Sequence, residues 1–117
     1  MKHLPFSRAD RVATEIHNIV AMFCLHRLED PRLAGIQITK VRVTKDLRMA
    51  RINYFLRGTD TQRSACQEGL EKSSGLIKRA IAEQMRLKFM PELVFHFDGA
   101  IEHGERISEL LSQIKER

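Results

Sequence analysis

The first long segment of the chain has the hydrophobic periodicity of a helix. Apolar residues recur at intervals of three or four, as on one face of an amphipathic helix; they are Val12, Ile16, Ile19, Val20 and Phe23. Ser7 is placed to act as the N-cap, and the charge of Asp10 suits the first turn. Asp30 precedes Pro31, and a residue before proline avoids the α region. The pattern predicts a helix from Ser7 to about Glu29.

Two segments after this helix alternate between apolar and polar residues, as strands do. The first is IQITKVRV, residues 36–43, and its apolar face shifts between Ile38 and Val41. We expect a bulge or a bend at that shift. The second segment is MARINYFLR, residues 49–57. Because only the short connection TKDL separates them, we expect the two strands to pair as an antiparallel hairpin.

The remaining pattern predicts two more helices, a third strand and a last helix. The helices cover about 61–73 and 75–88, the strand is ELVFHFD at 92–98, and the last helix covers about 100–115. This order is typical of an α+β domain in which helices pack on a small three-stranded sheet. The length of the chain predicts a single domain over residues 1–117 with a modest core.

A weak point interrupts the helical pattern between the second and the third helix. Within the sequence EKSSGLIKRAIAEQM, Ser73, Ser74 and Gly75 separate two amphipathic segments. Serine competes with a helix for backbone hydrogen bonds, and glycine in a helix interior costs about 1 kcal/mol relative to alanine. We therefore expect the chain to turn or kink at these three residues.

Positive charge is concentrated in two segments of the chain. The net charge is +5, yet residues 40–57 contain six basic residues and one acidic residue, and residues 72–88 contain five and one. Such segregation is expected of a surface that binds nucleic acid. A basic surface that is merely solvated would have the same composition, so this alternative stays open.

The spacing and the aromatic content suggest how nucleic acid would be recognised. On a continuous helix Lys72, Arg79 and Arg86 would share one side, about 10 Å apart along the axis, and could follow a phosphate backbone. Tyr54 is the only tyrosine, there is no tryptophan, and the phenylalanines look core-facing. Recognition of backbone and shape is therefore favoured over stacking of single-stranded bases on an aromatic platform.

Motifs of common catalytic and metal sites are absent from the sequence. The five histidines have no metal-ligand spacing with Cys24 or Cys66, and the six glycines match no phosphate-binding loop. We therefore expect no enzyme activity, no metal, no cofactor and no small-molecule substrate. No segment approaches the roughly 20 apolar residues of a membrane span, the first residues lack an apolar signal core, and unpaired cysteines suit a reducing compartment. We expect a cytoplasmic protein that does not contact membranes.

Four segments together resemble the ribosome-binding factor A family of bacterial small-subunit assembly factors. They are RADRVATEIHNIV near the start, EDPRLAGIQITKVRVTKDLRMARI, SSGLIKRAIAEQMRLKFMPELVFHFD, and GERISELL near the end. Each segment alone has little specificity, whereas their common order and spacing are specific. The resemblance extends over nearly the whole length of the chain.

The resemblance implies a type II KH-like fold, with the order α-β-β-α-α-β and here a further C-terminal helix. In ordinary KH domains a GxxG loop between two helices clamps the nucleic-acid backbone. The family has a helix-kink-helix in its place, usually written as alanine, any residue, glycine. Here Ser73 replaces the alanine before Ser74 and Gly75, and its hydroxyl can cap the following helix. A simple turn that only reverses the chain is the alternative.

The resemblance also implies a function without catalysis. Members of the family bind the free 30S subunit, promote late 30S maturation and 16S rRNA processing, and are linked to cold adaptation. We therefore expect a monomeric RNA-binding factor whose partners are the 30S subunit and 16S rRNA. The candidate RNA-binding residues are Lys45, Arg48 and Arg51 near the hairpin and Lys72, Lys78, Arg79, Arg86 and Lys88 on the helices. The alternative function is a small α+β protein-interaction module with a basic surface.

Overall fold

The computed structural model describes residues 7–26, 29–100 and 111. Within these residues the chain forms three α-helices, three strands and a 3-10 turn. In chain order they are α1 (Arg8–His26), the 3-10 turn (Pro31–Leu33), β1 (Gln37–Val43), β2 (Met49–Phe55), α2 (Asp60–Lys72), α3 (Ser74–Gln84) and β3 (Glu92–Phe97). The chain is therefore a small α+β fold, as expected. The last helix, predicted over about 100–115, lies almost entirely outside the described residues.

The three strands form one sheet in the spatial order β1-β2-β3. β1 and β2 are antiparallel, which confirms the hairpin, and the register shifts between Ile38 and Lys40, which confirms an irregularity where a bulge or a bend was expected. β3 pairs with β2 in parallel, with Ala50 opposite Leu93 and Ile52 opposite Phe95. Parallel neighbours require a crossover connection, and α2 and α3 together provide it.

The first turns of the two longer helices are fixed by reciprocal capping. The Ser7 hydroxyl accepts a hydrogen bond from the Asp10 N–H at 3.1 Å, and the Asp10 carboxylate accepts one from the Ser7 N–H at 3.2 Å. This confirms Ser7 as the cap of α1. In α2 the Thr59 hydroxyl accepts from the Gln62 N–H, and the Gln62 side chain accepts from the Thr59 N–H. This capping box was not predicted from the sequence.

The core lies between the helices and one face of the sheet. α1 packs on β1 and on α3, and α2 packs on β3. The fully buried side chains of this core include Ile16 and Val20 of α1, Ile52 and Tyr54 of β2, Leu70 of α2, and Ile77 and Ile81 of α3. Burying an aliphatic side chain of this size contributes about 1.5–3 kcal/mol. The opposite face of the sheet carries exposed residues, among them Arg42, Arg51 and Val94.

The third helix is shorter than the sequence pattern predicts. It ends at Gln84, because Met85 has the extended backbone angles φ −128° and ψ 145°. Met85 and Leu87 are partly buried against the core. In an extended chain, alternate residues face the same side, so both side chains reach the core on the way to β3. The prediction that the helix continues to residue 88 is wrong, because this packing outweighs the helical periodicity.

Candidate nucleic-acid interface

The break between α2 and α3 consists of one residue, Ser73. The Ser73 N–H donates to the carbonyl oxygens of Gly69 and Leu70 at 3.0 and 3.1 Å, and the Ser73 carbonyl accepts from the Ile77 N–H at 3.0 Å. Backbone hydrogen bonding therefore continues into both helices although the helix itself is interrupted. The Ser73 side chain is buried and makes no capping hydrogen bond to α3. The expectation that its hydroxyl caps α3 is therefore wrong.

Ser74 and Gly75 follow in the first turn of α3, where Ser74 is half-buried and Gly75 is exposed. A Cβ added at Gly75 would meet no atom within 4 Å. The backbone angle φ of Gly75 is not positive. Neither close internal packing nor a left-handed backbone requires glycine at this position. An exposed backbone without a side chain allows another molecule to approach closely.

Lys72 is the last residue of α2, and its charge acts on the carboxyl group of Asp30. Hydrogen bonds from Arg32 lower the pKa of the Asp30 carboxyl, and the positive charge of Lys72 lowers it further. Arg32 also contacts Glu68, with 3.6 Å between Nη1 and Oε1. Asp30 is therefore paired mainly with Arg32, with 2.6 Å between Arg32 Nη2 and Asp30 Oδ2, and the Lys72 side chain is exposed.

The other end of α3 is strongly basic. Gln84 and Arg86, which end and follow α3, line a cleft of about 310 Å³ together with Arg8 and Arg11 of α1 and the acidic Glu15. The segment after α3 therefore lies beside the first turns of α1. Because α3 has 11 residues and each adds about 1.5 Å, roughly 16 Å separates this cleft from Ser73.

An exposed aromatic ring lies in the same region. Phe89 and Lys88 line a second cleft, of about 150 Å³, with Arg8, Asp46, Leu47 and Leu87. The guanidinium carbon of Arg48 lies 5.8 Å from the centroid of the Phe89 ring, and the Lys88 Nζ lies 5.7 Å from it. We call Arg8, Arg11, Arg48, Arg86, Lys88 and Phe89 the basic end of the molecule.

The predicted RNA-binding residues do not form one continuous face. Arg48, Arg86 and Lys88 meet at the basic end, and Lys45 is exposed in the adjoining hairpin turn. On α3, Lys78 is half-buried and Arg79 is exposed. Arg86 and Lys88 had been expected on a helix, but they lie in the irregular segment between α3 and β3.

Arg51 lies on a different surface. It is exposed on β2 directly opposite Arg42 of β1 and beside Val94 of β3, on the face of the sheet turned away from the helices. Arg8 and Arg11 were not among the predicted RNA-binding residues, because only the packing of α1 beside the segment after α3 brings them to the basic end. Their charge alone gave no sign of this proximity.

The described residues offer little chemistry for catalysis. Burial raises the pKa of the Cys24 and Cys66 thiols to about 11. The nearby Cys66 raises the pKa of Cys24 by a smaller amount, and the nearby Asp30 does the same for Cys66. Both thiols are therefore protonated and poorly nucleophilic at neutral pH. Among residues 7–26, 29–100 and 111, no three His, Cys, Asp or Glu side chains are grouped as metal ligands. No helix in this part of the chain could span a membrane.

Comparisons of the sequence and of the structure with known proteins identify the same family. The family model described as ribosome-binding factor A matches residues 8–111. Ribosome-binding factor A of Geobacter sulfurreducens is 43% identical over 110 residues, which are 94% of this chain and 93% of that protein. The crystal structure of ribosome-binding factor A from Thermus thermophilus has a TM-score of 0.69 at 20% identity, and the match covers 76% of this chain and 93% of that one.

A second structural match is a homology model of the Thermus thermophilus factor fitted into a cryo-EM map of its complex with the 30S subunit. Its TM-score is 0.65 at 22% identity, and the match covers 80% of this chain and 97% of that one. At such identities the two structural matches establish the fold.

Proposed function

Because this chain belongs to the ribosome-binding factor A family, we propose that it is a non-catalytic assembly factor that binds the free 30S subunit through 16S rRNA. It would promote late 30S maturation, including 16S rRNA processing. The Thermus thermophilus relative fitted into a map of a 30S complex supports this proposal. The observation that carries it in this chain is the basic end, where three separate segments bring five cationic side chains together.

The electrostatics of the basic end suit a phosphate backbone. Every phosphate that a Lys or Arg neutralises releases condensed counterions, so binding is strong at low salt and weakens as salt rises. The nearest carboxylate of the hairpin turn, Asp46, already accepts hydrogen bonds from the Thr44 hydroxyl at 2.7 Å and the Arg48 N–H at 3.1 Å. These bonds hold the Asp46 carboxylate within the turn.

We propose a contact surface that extends from the basic end along one side of the molecule. From the predicted set it includes Lys45, Arg48, Lys78, Arg79, Arg86 and Lys88, and the structure adds Arg8 and Arg11. Lys72 lies at the far end of α3 and Arg51 on the open sheet face. Arg51 would touch rRNA only if the protein were contacted on several sides, whereas Lys72 adjoins the turn formed by Ser73, Ser74 and Gly75.

We further propose that the fold is of the type II KH-like kind. The order α-β-β-α-α-β and the parallel pairing of β2 with β3 support this assignment. Ser73, Ser74 and Gly75 then stand where a KH loop would clamp nucleic acid. The open space at Gly75 supports a role in contact for that turn.

Co-sedimentation across a salt series tests the function. The wild type should pellet with free 30S subunits and much less with 50S subunits or complete ribosomes. The double variant Arg8→Glu/Arg86→Glu should bind 30S more weakly, with a log–log salt slope smaller by about 1.4–1.8 for two lost phosphate contacts. A glutamate near the N-terminus of α1 interacts favourably with the helix dipole, so this variant should fold.

The matched control is Arg42→Glu/Arg51→Glu. It makes the same change of charge on the open sheet face and replaces one like-charge pair by another. This control should bind 30S almost as the wild type does. A loss in the control equal to that in the test variant would mean binding by net charge alone. A partner that remains bound after nuclease treatment would favour a protein-interaction module instead.

A further inference from the structure

Phe89 is the one phenylalanine of the basic end, and it is 62% exposed. The phenylalanines were expected to face the core, and for Phe89 that expectation is wrong. A single exposed apolar side chain is ordinary in itself. The distinctive feature is that Arg48 and Lys88 both place a cation within 6 Å of the centre of this ring.

The outward position of Phe89 is fixed by its neighbours. Leu87 and Met90 are partly buried against the core, and Pro91 is fully buried. The Glu92 N–H donates to the Arg48 carbonyl at 2.8 Å, which ties the segment to the end of the hairpin turn. Turning Phe89 inward would withdraw these neighbours from the core. The ring is therefore presented to solvent on an anchored segment.

We propose that Phe89 stacks on an unpaired nucleobase of the bound RNA while Arg48 and Lys88 hold the adjoining phosphates. This inference rests on the proposed function and specifies its ligand as single-stranded RNA with an accessible base. An aromatic ring supplies a face for any base, and neighbouring cations supply the attraction for the backbone. Paired bases within a duplex present only their edges, so a duplex cannot use the ring in this way.

The shape and charge of the surroundings favour this ligand over an apolar one. The Phe89 ring borders a cleft of about 150 Å³ whose other lining includes Arg8, Lys88 and Asp46. A partner with an apolar surface would have to strip water from these charged groups without replacing their interactions, which is costly. A nucleotide brings a planar base for the ring and a phosphate for the cations.

A tryptophan at this position provides a direct readout, because the chain contains no tryptophan of its own. In Phe89→Trp, stacking of a base should quench the fluorescence of that single indole. We would titrate this variant with a 12-nucleotide single strand and with the 12-base-pair duplex that this strand forms with its complement. The single strand should quench the signal and the duplex should leave it nearly unchanged. Equal quenching by both, or none by either, would overturn the inference.

Affinity measurements give a second test of the stacking role of Phe89. Phe89→Ala should weaken binding of the single strand by roughly 5- to 100-fold, the usual range for one stacked base, and leave duplex binding unchanged. Phe89→Tyr should restore the affinity. The matched control is Leu25→Ala, which truncates an apolar residue near the C-terminal end of α1 that is 72% exposed, and it should bind as the wild type does.

The outcomes also separate this inference from the proposed function. If the wild type binds 30S subunits with a steep salt dependence and Phe89→Ala binds them and the single strand equally well, only the stacking role fails. If the wild type does not bind 30S subunits at all, the proposed function fails. Failure of the wild type to bind the single-stranded probe also overturns the stacking role. Because Phe89 is exposed, thermal unfolding of Phe89→Ala should match that of the wild type.

Discussion

Arg42 and Arg51 are directly opposite each other in the antiparallel pair of β1 and β2, and both side chains are exposed. Like charges in such positions repel and destabilise the pairing. The pair lies on the sheet face turned away from the helices, so its charge can be changed without altering the core. It therefore offers a clean measurement of electrostatics on this face.

Arg51→Glu should stabilise the protein, because it replaces a repulsive pair with an attractive one. We expect the free energy of unfolding to rise by about 0.2–1 kcal/mol in low salt. The gain should shrink at high salt, where exposed charges are screened. Urea denaturation at two salt concentrations measures both effects, and the double variant Arg42→Glu/Arg51→Glu should show little gain. An unchanged stability of the single variant in low salt would contradict this account.

The buried hydroxyl of Tyr54 should stabilise the contact of β2 with α2. It donates to Gln67 Oε1 at 2.5 Å, and the Gln67 amide donates to the Phe95 carbonyl at 3.0 Å. Tyr54→Phe should lower the free energy of unfolding by about 0.5–1.5 kcal/mol, since it removes the donor to a partly buried oxygen. In a Gln67→Leu background the same substitution should cost much less, which a double-mutant cycle would show. Equal costs in both backgrounds would mean that the hydrogen bond is not responsible.

Gly75→Ala should raise stability and lower binding at the same time. The added methyl group has open space and no positive φ to oppose it, so replacing glycine in the helix should gain about 0.5–1 kcal/mol. If RNA approaches this exposed backbone closely, affinity for 30S subunits should fall. Chemical denaturation and co-sedimentation measure the two changes.

Gly35 provides the control for this glycine experiment. It has φ +81°, where a side chain is strained, so Gly35→Ala should lower stability by more than the gain at Gly75. A loss of stability in Gly75→Ala would show that the turn does require glycine. A gain in stability with unchanged 30S affinity would remove this turn from the interface.

Asp30 should make stability depend on pH in the acidic range. Its pKa is lowered, chiefly by side-chain and backbone hydrogen bonds from Arg32. A carboxylate with a lower pKa in the folded state contributes stability above its unfolded pKa, near 3.9, and loses that contribution as pH falls through the folded value. Asp30→Asn should therefore be less stable than the wild type at pH 7, and the difference should narrow below about pH 4.

Urea denaturation of both proteins at pH 7, 4 and 3 checks the prediction for Asp30. Other carboxylates with lowered pKa values, such as Asp46 and Asp98, titrate in both proteins and largely cancel in the difference. A difference that stays constant from pH 7 to pH 3 would mean that Asp30 acts through its shape as a cap of the 3-10 turn and not through its charge.

Local sequence determined the helices, the hairpin and the break at Ser73. Each of these depends on neighbours within a few residues: the cap at Ser7, the alternation along β1 and β2, and the poor helix formers after Lys72. The shift of register after Ile38 could be read for the same reason, because a bulge changes the side to which the next residues point. The two basic segments were also visible in the sequence.

Only the tertiary structure decided where α3 ends and which charges meet. The spacing of Ile77, Ile81 and Met85 fits a helix that continues past Gln84, but the chain leaves the helix at Met85, and Met85 and Leu87 pack against the core on the way to β3. Arg8 joins Lys88 and Phe89 because α1 packs beside the segment after α3. Periodicity shows which side of an element is apolar but not which elements it will face. A surface built from separate segments therefore appears only once the core has brought those segments together.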